Sequence, residues 1–410
     1  MHGNAAGGTD GVTLPRMGIF ALLACGMFTT VGLFSPGLVL PQIERAFAGT
    51  PHVVLMTELV GTLAGFAFAL GAPIAGALIA RFGCRAVFLP ALLLFAAAGA
   101  APAILDSLWA ILAARVVLGL ALSAIFTGSL AGLGALRSDI RMGMFGWFSV
   151  VGGATAILLF PLIGVIGHHG WRLAFLVNLL ALPVLLPVLM LPRWLGVAAP
   201  RDPAVAQTGQ VRSGLIGPAM AFLLLIAALA GMGMLIGPIY APLYLAQLGI
   251  TDTKLLAVPV TIGSVAAVAA SACYGRAHRA MGLYGVWAVS MLAMGAGLAI
   301  AGTSTSMPIF TAGVVVSGAM VAIMAPNVSA TAMAISPPHL SAQAIGLANG
   351  VMFGAQLAFP FIAAWMRGVA GLSGLFILFG LVLLAIGAGL GVRALLGRGG
   401  AAYDNQERQA

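Results

Sequence analysis

The sequence predicts an all-α integral membrane fold: twelve transmembrane helices in two six-helix bundles. Three observations carry this expectation. The first is composition. The 410 residues are 61% hydrophobic and 7% charged, with a mean hydropathy of +1.12, whereas a soluble chain carries about 25% charged residues. So few polar side chains cannot cover a water-soluble body, and a polytopic helical membrane protein is the ordinary class that fits. The second is a series of apolar runs of spanning length. The third is an asymmetric distribution of arginine between the segments that join them.

The runs cover about 17–40, 53–79, 86–105, 108–135, 142–167 and 173–195, then about 214–240, 255–274, 283–302, 308–335, 343–366 and 371–396. Each approaches the ~20 residues a helix needs to cross a bilayer. The one sizeable polar interruption follows the sixth run and holds Arg193, Pro200, Arg201, Asp202, Pro203, Gln207, Gln210 and Arg212. It divides the chain into a tail at 1–16, a bundle at 17–195, a linker at 196–213, a second bundle at 214–397 and a tail at 398–410.

The joint between the second and third runs shows how the spans are connected. Gly71 to Arg85 reads GAPIAGALIARFGCR, an apolar stretch dense in small residues that ends abruptly in two arginines. Small residues let a helix press close to its neighbour. The arginines fix this end at a water boundary. Gly83 suits a turn at positive φ. Gly275, Arg276, Arg279 and Gly282 repeat the pattern in the second half, which implies a duplicated architecture. Placing the N-terminus inside puts thirteen arginines in inner segments: Arg16, Arg81, Arg85, Arg137, Arg141, Arg193, Arg201, Arg212, Arg276, Arg279, Arg393, Arg398 and Arg408. Only Arg45, Arg172, Lys254 and Arg367 fall in outer loops, so both termini are expected in the cytoplasm.

The formal charge of +9 is accounted for by this topology, and no nucleic-acid partner is expected. Cys25, Cys84 and Cys273 are far apart and are read as unpaired thiols, with Cys84 in the basic loop. Met1 to Pro15 lacks the charged segment and cleavage site of a signal peptide, so insertion is expected through the first run itself. No Walker-type nucleotide loop is present.

Four local motifs give the chain a resemblance. Gly76-Ala-Leu-Ile-Ala-Arg-Phe-Gly-Cys-Arg85 joins runs two and three, and Arg115-Val-Val-Leu-Gly119 lies in run four. Pro161-Leu-Ile-Gly164 lies in run five, and Gly170-Trp-Arg-Leu-Ala-Phe-Leu-Val-Asn178 opens run six. In order and spacing these resemble the major facilitator superfamily, and within it the 12-helix drug:proton antiporter group. Ala80 stands where the family's loop usually has an acidic residue, and Phe160 where its helix-five motif usually has glycine. The resemblance implies that Gly76, Arg81, Gly83, Arg85, Gly275, Arg276 and Arg279 act as gating loops. It also implies that Arg115 belongs to a buried motif associated with proton coupling, and that Pro161 and Gly164 belong to a helix-five antiporter motif.

The residues themselves nominate further candidates. Glu58 is the one carboxylate inside a run; it is either a proton or substrate site or an interfacial group wetted from outside. Arg115 is the one basic residue well inside a run. A guanidinium does not shed its charge, so Arg115 must meet carbonyls, polar side chains or an anion, and it serves either coupling or anchorage. The second half is read as carrying no buried charge. Its polar candidates for a substrate cavity are Tyr240, Tyr244, Asn327, Asn349 and Gln356, with Thr127 from the first half. Hydrogen bonding between helices, worth about 0.6 kcal/mol per pair, is the alternative for these. His168 and His169 lack companions for a metal site.

The expected function is secondary active transport of a small organic molecule across the cytoplasmic membrane of a bacterium by alternating access. Proton-coupled efflux is expected ahead of proton-coupled uptake, with a non-transporting sensor or scaffold as the remote alternative. Protons, lipid and a small-molecule substrate are the expected partners of a monomer. No cofactor, metal or enzymatic activity is expected.

Overall fold

Apolar side chains point outward from these helices as well as inward. Trp109, Leu158, Leu186, Trp365 and Val369 all stand exposed. In water such a surface would aggregate; in a bilayer it meets lipid. The computed structural model describes residues 14–192, 194–195, 217–337 and 341–407. The linker at 196–213, most of the N-terminal tail and Arg408 lie outside the described residues. No strand occurs among the described residues.

Fourteen α-helices are described in chain order: α1 (Arg16–Ala24), α2 (Met27–Phe34), α3 (Leu40–Ala46), α4 (Val53–Phe82), α5 (Cys84–Ala100), α6 (Leu108–Gly134), α7 (Ser138–His168), α8 (Trp171–Ala174), α9 (Ala181–Val188), α10 (Pro218–Gly233), α11 (Ala241–Gln247), α12 (Thr253–Thr303), α13 (Met307–Ile335) and α14 (Ser341–Glu407). The expected first, sixth and seventh spans are thus interrupted. Pro36 opens a 3-10 turn before α3, a 3-10 segment joins α8 to α9, and a π-helical turn over Ile236–Tyr240 joins α10 to α11.

Among the described residues, ten helical segments are long and apolar enough to cross a membrane, rather than the twelve expected. The difference has a local cause. Two of the ten, Thr253–Thr303 and Ala344–Ala394, are 51 residues long, enough for about two crossings each. Each bends at a glycine held at positive φ, Gly282 at 68° and Gly371 at 70°. The chain reverses there without a polar loop. Gly83, at φ 82°, makes the same turn between α4 and α5. An L-residue with a Cβ is strained at these angles. The joint at Gly83 and its repeat at Gly282 are therefore one device used twice.

By packing, the chain falls into two units. The first takes the described parts of Met1–Ser35, Leu63–Leu159 and Arg172–Asp202. There Gly119 lets α6 press on the backbone of α4 at Ala64, where any Cβ would collide with the carbonyl. Thr30 donates to the Gly152 carbonyl at 3.1 Å. The second unit takes the described parts of Pro36–Thr62, Phe160–Trp171 and Pro203–Ala410. Its centre is α12 crossing α13 and α14, with Gly297 against Gly313 and Gly295 against Gly380. Such small-residue crossings replace the hydrophobic drive that lipid cannot supply.

Cys84 corrects an expectation. It starts α5 rather than lying in an open loop. Its side chain is buried, and Sγ donates to the Gly128 carbonyl at 3.4 Å. The tight turn at Gly83 leaves no loop in which to display it. A maleimide should therefore leave Cys84 unmodified in the folded protein while modifying exposed Cys273, and should reach Cys84 only after denaturation. Mass spectrometry of the labelled peptides checks this.

Candidate functional site

The second unit holds a buried charge cluster. Glu58 lies in the second turn of α4, and its side chain is 0% exposed. Arg367 Nη1 donates to Glu58 Oε1 at 2.7 Å, and the Tyr240 hydroxyl donates to Glu58 Oε2 at 3.1 Å. The other guanidinium nitrogen, Arg367 Nη2, stands 3.7 Å from Glu44 Oε1 on α3. Side-chain exposure rises along this line, from 0% at Glu58 to 12% at Arg367 and 26% at Glu44. Beside it opens a cleft of about 310 Å3 lined by Pro41, Glu44, Arg45, Leu243, Gln247 and Arg367.

Local structure aims each group. Tyr240 ends the π-helical turn, whose extra residue per turn displaces it from ordinary α register. Gly37 admits the Pro238 carbonyl of that turn against its own backbone, where a Cβ would not fit. The Tyr240 ring is held edge-on to Phe359 of α14 at 5.2 Å. Arg367 sits on α14 four residues before the bend at Gly371, so a helix and not a loop presents it. This corrects two expectations: Arg367 is not a loop residue, and the second half does carry a largely buried charge. The eleventh apolar run ends at 366, but the helix continues, because a guanidinium is tolerated there when a carboxylate meets it.

Arg115 is buried on α6, and its Nη2 donates to the Gly32 carbonyl of α2 at 2.6 Å. Ser123 and Ser129 of the same helix bond back to Leu120 and Ile125 carbonyls. The polar residues proposed for a cavity mostly bridge helices. Asn327 accepts from the Tyr274 hydroxyl at 3.2 Å. Asn349 donates to Ser329 Oγ at 2.9 Å, and Trp287 Nε1 to Thr331 Oγ1 at 2.9 Å. Tyr244 donates to the Gly302 and Ser304 carbonyls while stacked on Phe310. Gln356 is buried on α14, and half-buried Thr127 lies beside Gly76.

The motifs have local contacts of their own. Arg81, exposed, lies over the Phe82 ring, while Arg85 is half-buried. Gly275, Arg276 and Arg279 are exposed on α12, before the bend. Gly164 packs against Ala257 and the Thr253 carbonyl; Pro161 is exposed within α7. Arg172 donates to the Leu105 carbonyl at 2.8 Å and to Asp106 at 2.7 Å, and Asn178 to the Gly99 carbonyl at 3.2 Å. These contacts fasten the α8–α9 segment to α5 and the turn after it. His168 Nδ1 donates to Asp252 at 3.2 Å, and Gln42 donates to Thr253 Oγ1 at 2.8 Å. The Lys254 amide, and after it His168, hold the Asp252 carboxyl below its ordinary range.

A profile described as the Major Facilitator Superfamily matches residues 20–285. No curated protein matches the chain in sequence. Among solved structures it is similar to the nucleoside transporter NupG, at 12% identity and a TM-score of 0.73, over 92% of this chain and 99% of that one. It is similar to a D-xylose-proton symporter at 16% identity and a TM-score of 0.69, covering 91% and 95%. A POT family transporter gives 12% identity and a TM-score of 0.71, covering 90% and 94%. At these identities the likeness establishes the fold.

Truncating Arg367 should strand the Glu58 carboxylate. Arg367→Met is expected to cost about 3–5 kcal/mol, the loss typical when one partner of a buried pair is removed. Adding Glu58→Gln should recover part of that loss. Thermal unfolding of the two single variants and the double variant in one detergent closes the cycle.

Proposed function

The chain belongs to the major facilitator superfamily, and from that premise we propose that it is a secondary active transporter moving a small organic molecule by alternating access, coupled to protons. The observation that carries the coupling is the Glu58 carboxylate, fully buried and bonded to Arg367 and Tyr240. A carboxylate in a membrane interior is costly unless paired or protonated. Taking a proton would discharge its pair with Arg367 and release α4 from α14. That is a chemical step linked to a change in helix contacts, as coupling requires.

The proposed frame is two six-helix bundles, 17–195 and 214–397, joined by the 196–213 linker, with both termini cytoplasmic. The arginine asymmetry supports this orientation, which assigns Glu44, Glu58 and Arg367 to the outer half and the turns at Gly83 and Gly282 to the inner face. Gly76, Arg81, Gly83, Arg85, Gly275, Arg276 and Arg279 are then inner gating elements. Arg115, whose charge is fixed, is the second member of the coupling machinery. Thr127, Tyr240, Tyr244, Asn327, Asn349 and Gln356 remain the proposed cavity residues.

Efflux by antiport is the leading direction, supported by the order of the Pro161–Gly164 and Gly170–Asn178 motifs. Uptake by symport is the second reading. It is favoured by the likeness in fold to a D-xylose-proton symporter.

Vesicles test both. Dye from a panel of amphipathic fluorophores should accumulate in everted vesicles with an acid lumen if the protein exports. Accumulation in right-side-out vesicles under an acid exterior marks symport. In either format Glu58→Gln should keep dye binding and exchange but lose accumulation driven by the gradient. Undiminished gradient-driven accumulation by that variant removes Glu58 from coupling.

A further inference from the structure

Arg367 faces two carboxylates at unequal range. To Glu58 it makes a charge-assisted hydrogen bond of 2.7 Å; to Glu44 it stands 3.7 Å away, within ion-pair reach but beyond a hydrogen bond. The inequality matters because the guanidinium keeps its charge at all working pH values. When Glu58 takes a proton, Arg367 loses its partner while 12% exposed, and a largely buried cation cannot be left unpaired. The group in position to receive it is Glu44.

We propose that Glu44 is a positioning residue of the proton-coupling step: it takes Arg367 over when Glu58 is protonated, and so sets how readily Glu58 accepts the proton. The proposal rests on the proton-coupled reading above and adds a second carboxylate to it. The proton arrives from water in the cleft lined by Glu44, Arg45 and Gln247. It forms an O–H bond on Glu58, the Arg367–Glu58 ion pair opens, and the Arg367–Glu44 pair closes by about 1 Å to ordinary charge-assisted length. Two carboxylates and one guanidinium carry a net charge of −1 before the step and none after it. A neutral cluster is cheaper to desolvate than a charged one. The handover would therefore carry α3, which bears Glu44, toward Arg367, while α4 is freed.

The groups facing Glu58 are Tyr240 from the π-helical turn and Arg367 from α14. Glu44 stands behind Arg367 from α3, and Arg45 lines the same cleft. Glu44 also acts on Glu58 through space, since like charges disfavour each other. A test must therefore separate that direct effect from one carried by Arg367.

The experiment uses the full-length protein in lipid and the proton itself as probe. Infrared difference spectra follow the carboxylic-acid C=O band as pH is varied. Glu58→Gln should remove one titrating component; if it removes none, Glu58 does not take a proton and the coupling reading fails first. Given that component, Glu44→Gln should move its midpoint to more acidic pH by about one unit, because Arg367 then has Glu58 alone. An unchanged midpoint overturns the handover. In an Arg367→Gln background the Glu44→Gln displacement should shrink to its through-space remainder. If it persists there undiminished, Glu44 acts only through space and the proposal is wrong.

Discussion

A guanidinium that cannot lose its charge must be met wherever the chain buries it. Arg367 meets this constraint in the second unit, and Arg115 meets it in the first in a different way. Arg367 is answered by ionised or ionisable groups, Glu58 and Glu44. Arg115 is answered by a backbone carbonyl, that of Gly32. The distinction has chemical content. A carbonyl dipole offers the same partner at every pH, so the bond from Arg115 to Gly32 joins α6 to α2 whatever the pH. A carboxylate can withdraw its charge, so on the proposed reading the tie between α14 and α4 is conditional. The displaced register at Tyr240 and the close approach of Pro238 at Gly37 hold a further donor on the same carboxylate.

The supporting framework obeys the rules of packing without water. Helices meet where side chains are absent, at Gly119 on Ala64 and at Gly297 on Gly313. Hydroxyls return their protons to the carbonyl one turn back, as Thr62, Ser129, Thr261 and Ser329 do. Some polar side chains reach across to neutral partners, as Asn349 does to Ser329. Among the described residues, each buried charge therefore has an answer that packing alone would not have required.

The fold was largely legible in the sequence. Run lengths, arginine placement and the repeated ending in arginine and then glycine encode spans and turns directly, because bilayer thickness and the price of burying a cation act on single segments. The site was half legible. Glu58 stood out as a carboxylate within an apolar run, but its partner did not. Arg367 closes an apolar run, where a boundary residue is ordinary, and only three-dimensional pairing distinguishes it. A signal existed: Glu58 near the start of the second run and Arg367 at the end of the eleventh share one membrane level under the expected topology. Matching an intramembrane charge to opposite charges at equal depth would have nominated it. The motifs are legible as sequence, but their contacts are not: Arg172 and Asn178 bond to Asp106 and to the Gly99 carbonyl and fasten one helix to its neighbour.

The π-helical turn at Ile236–Tyr240 carries one residue more than an α-turn needs. A surplus of this kind is a rotational reserve. Were it absorbed, all that follows in α11 would swing by about 100° about the helix axis, the angle of one α-helical residue. Tyr240 would turn its hydroxyl off Glu58 and Leu243 would leave the cleft wall, with no bond in the chain lengthened and no helix broken. The sequence Gly237-Pro238 inside the turn supplies a missing amide and a missing side chain where such a reserve is easiest to hold. The helix that touches the charge cluster thus reaches it through a turn whose register an α-helix would not keep.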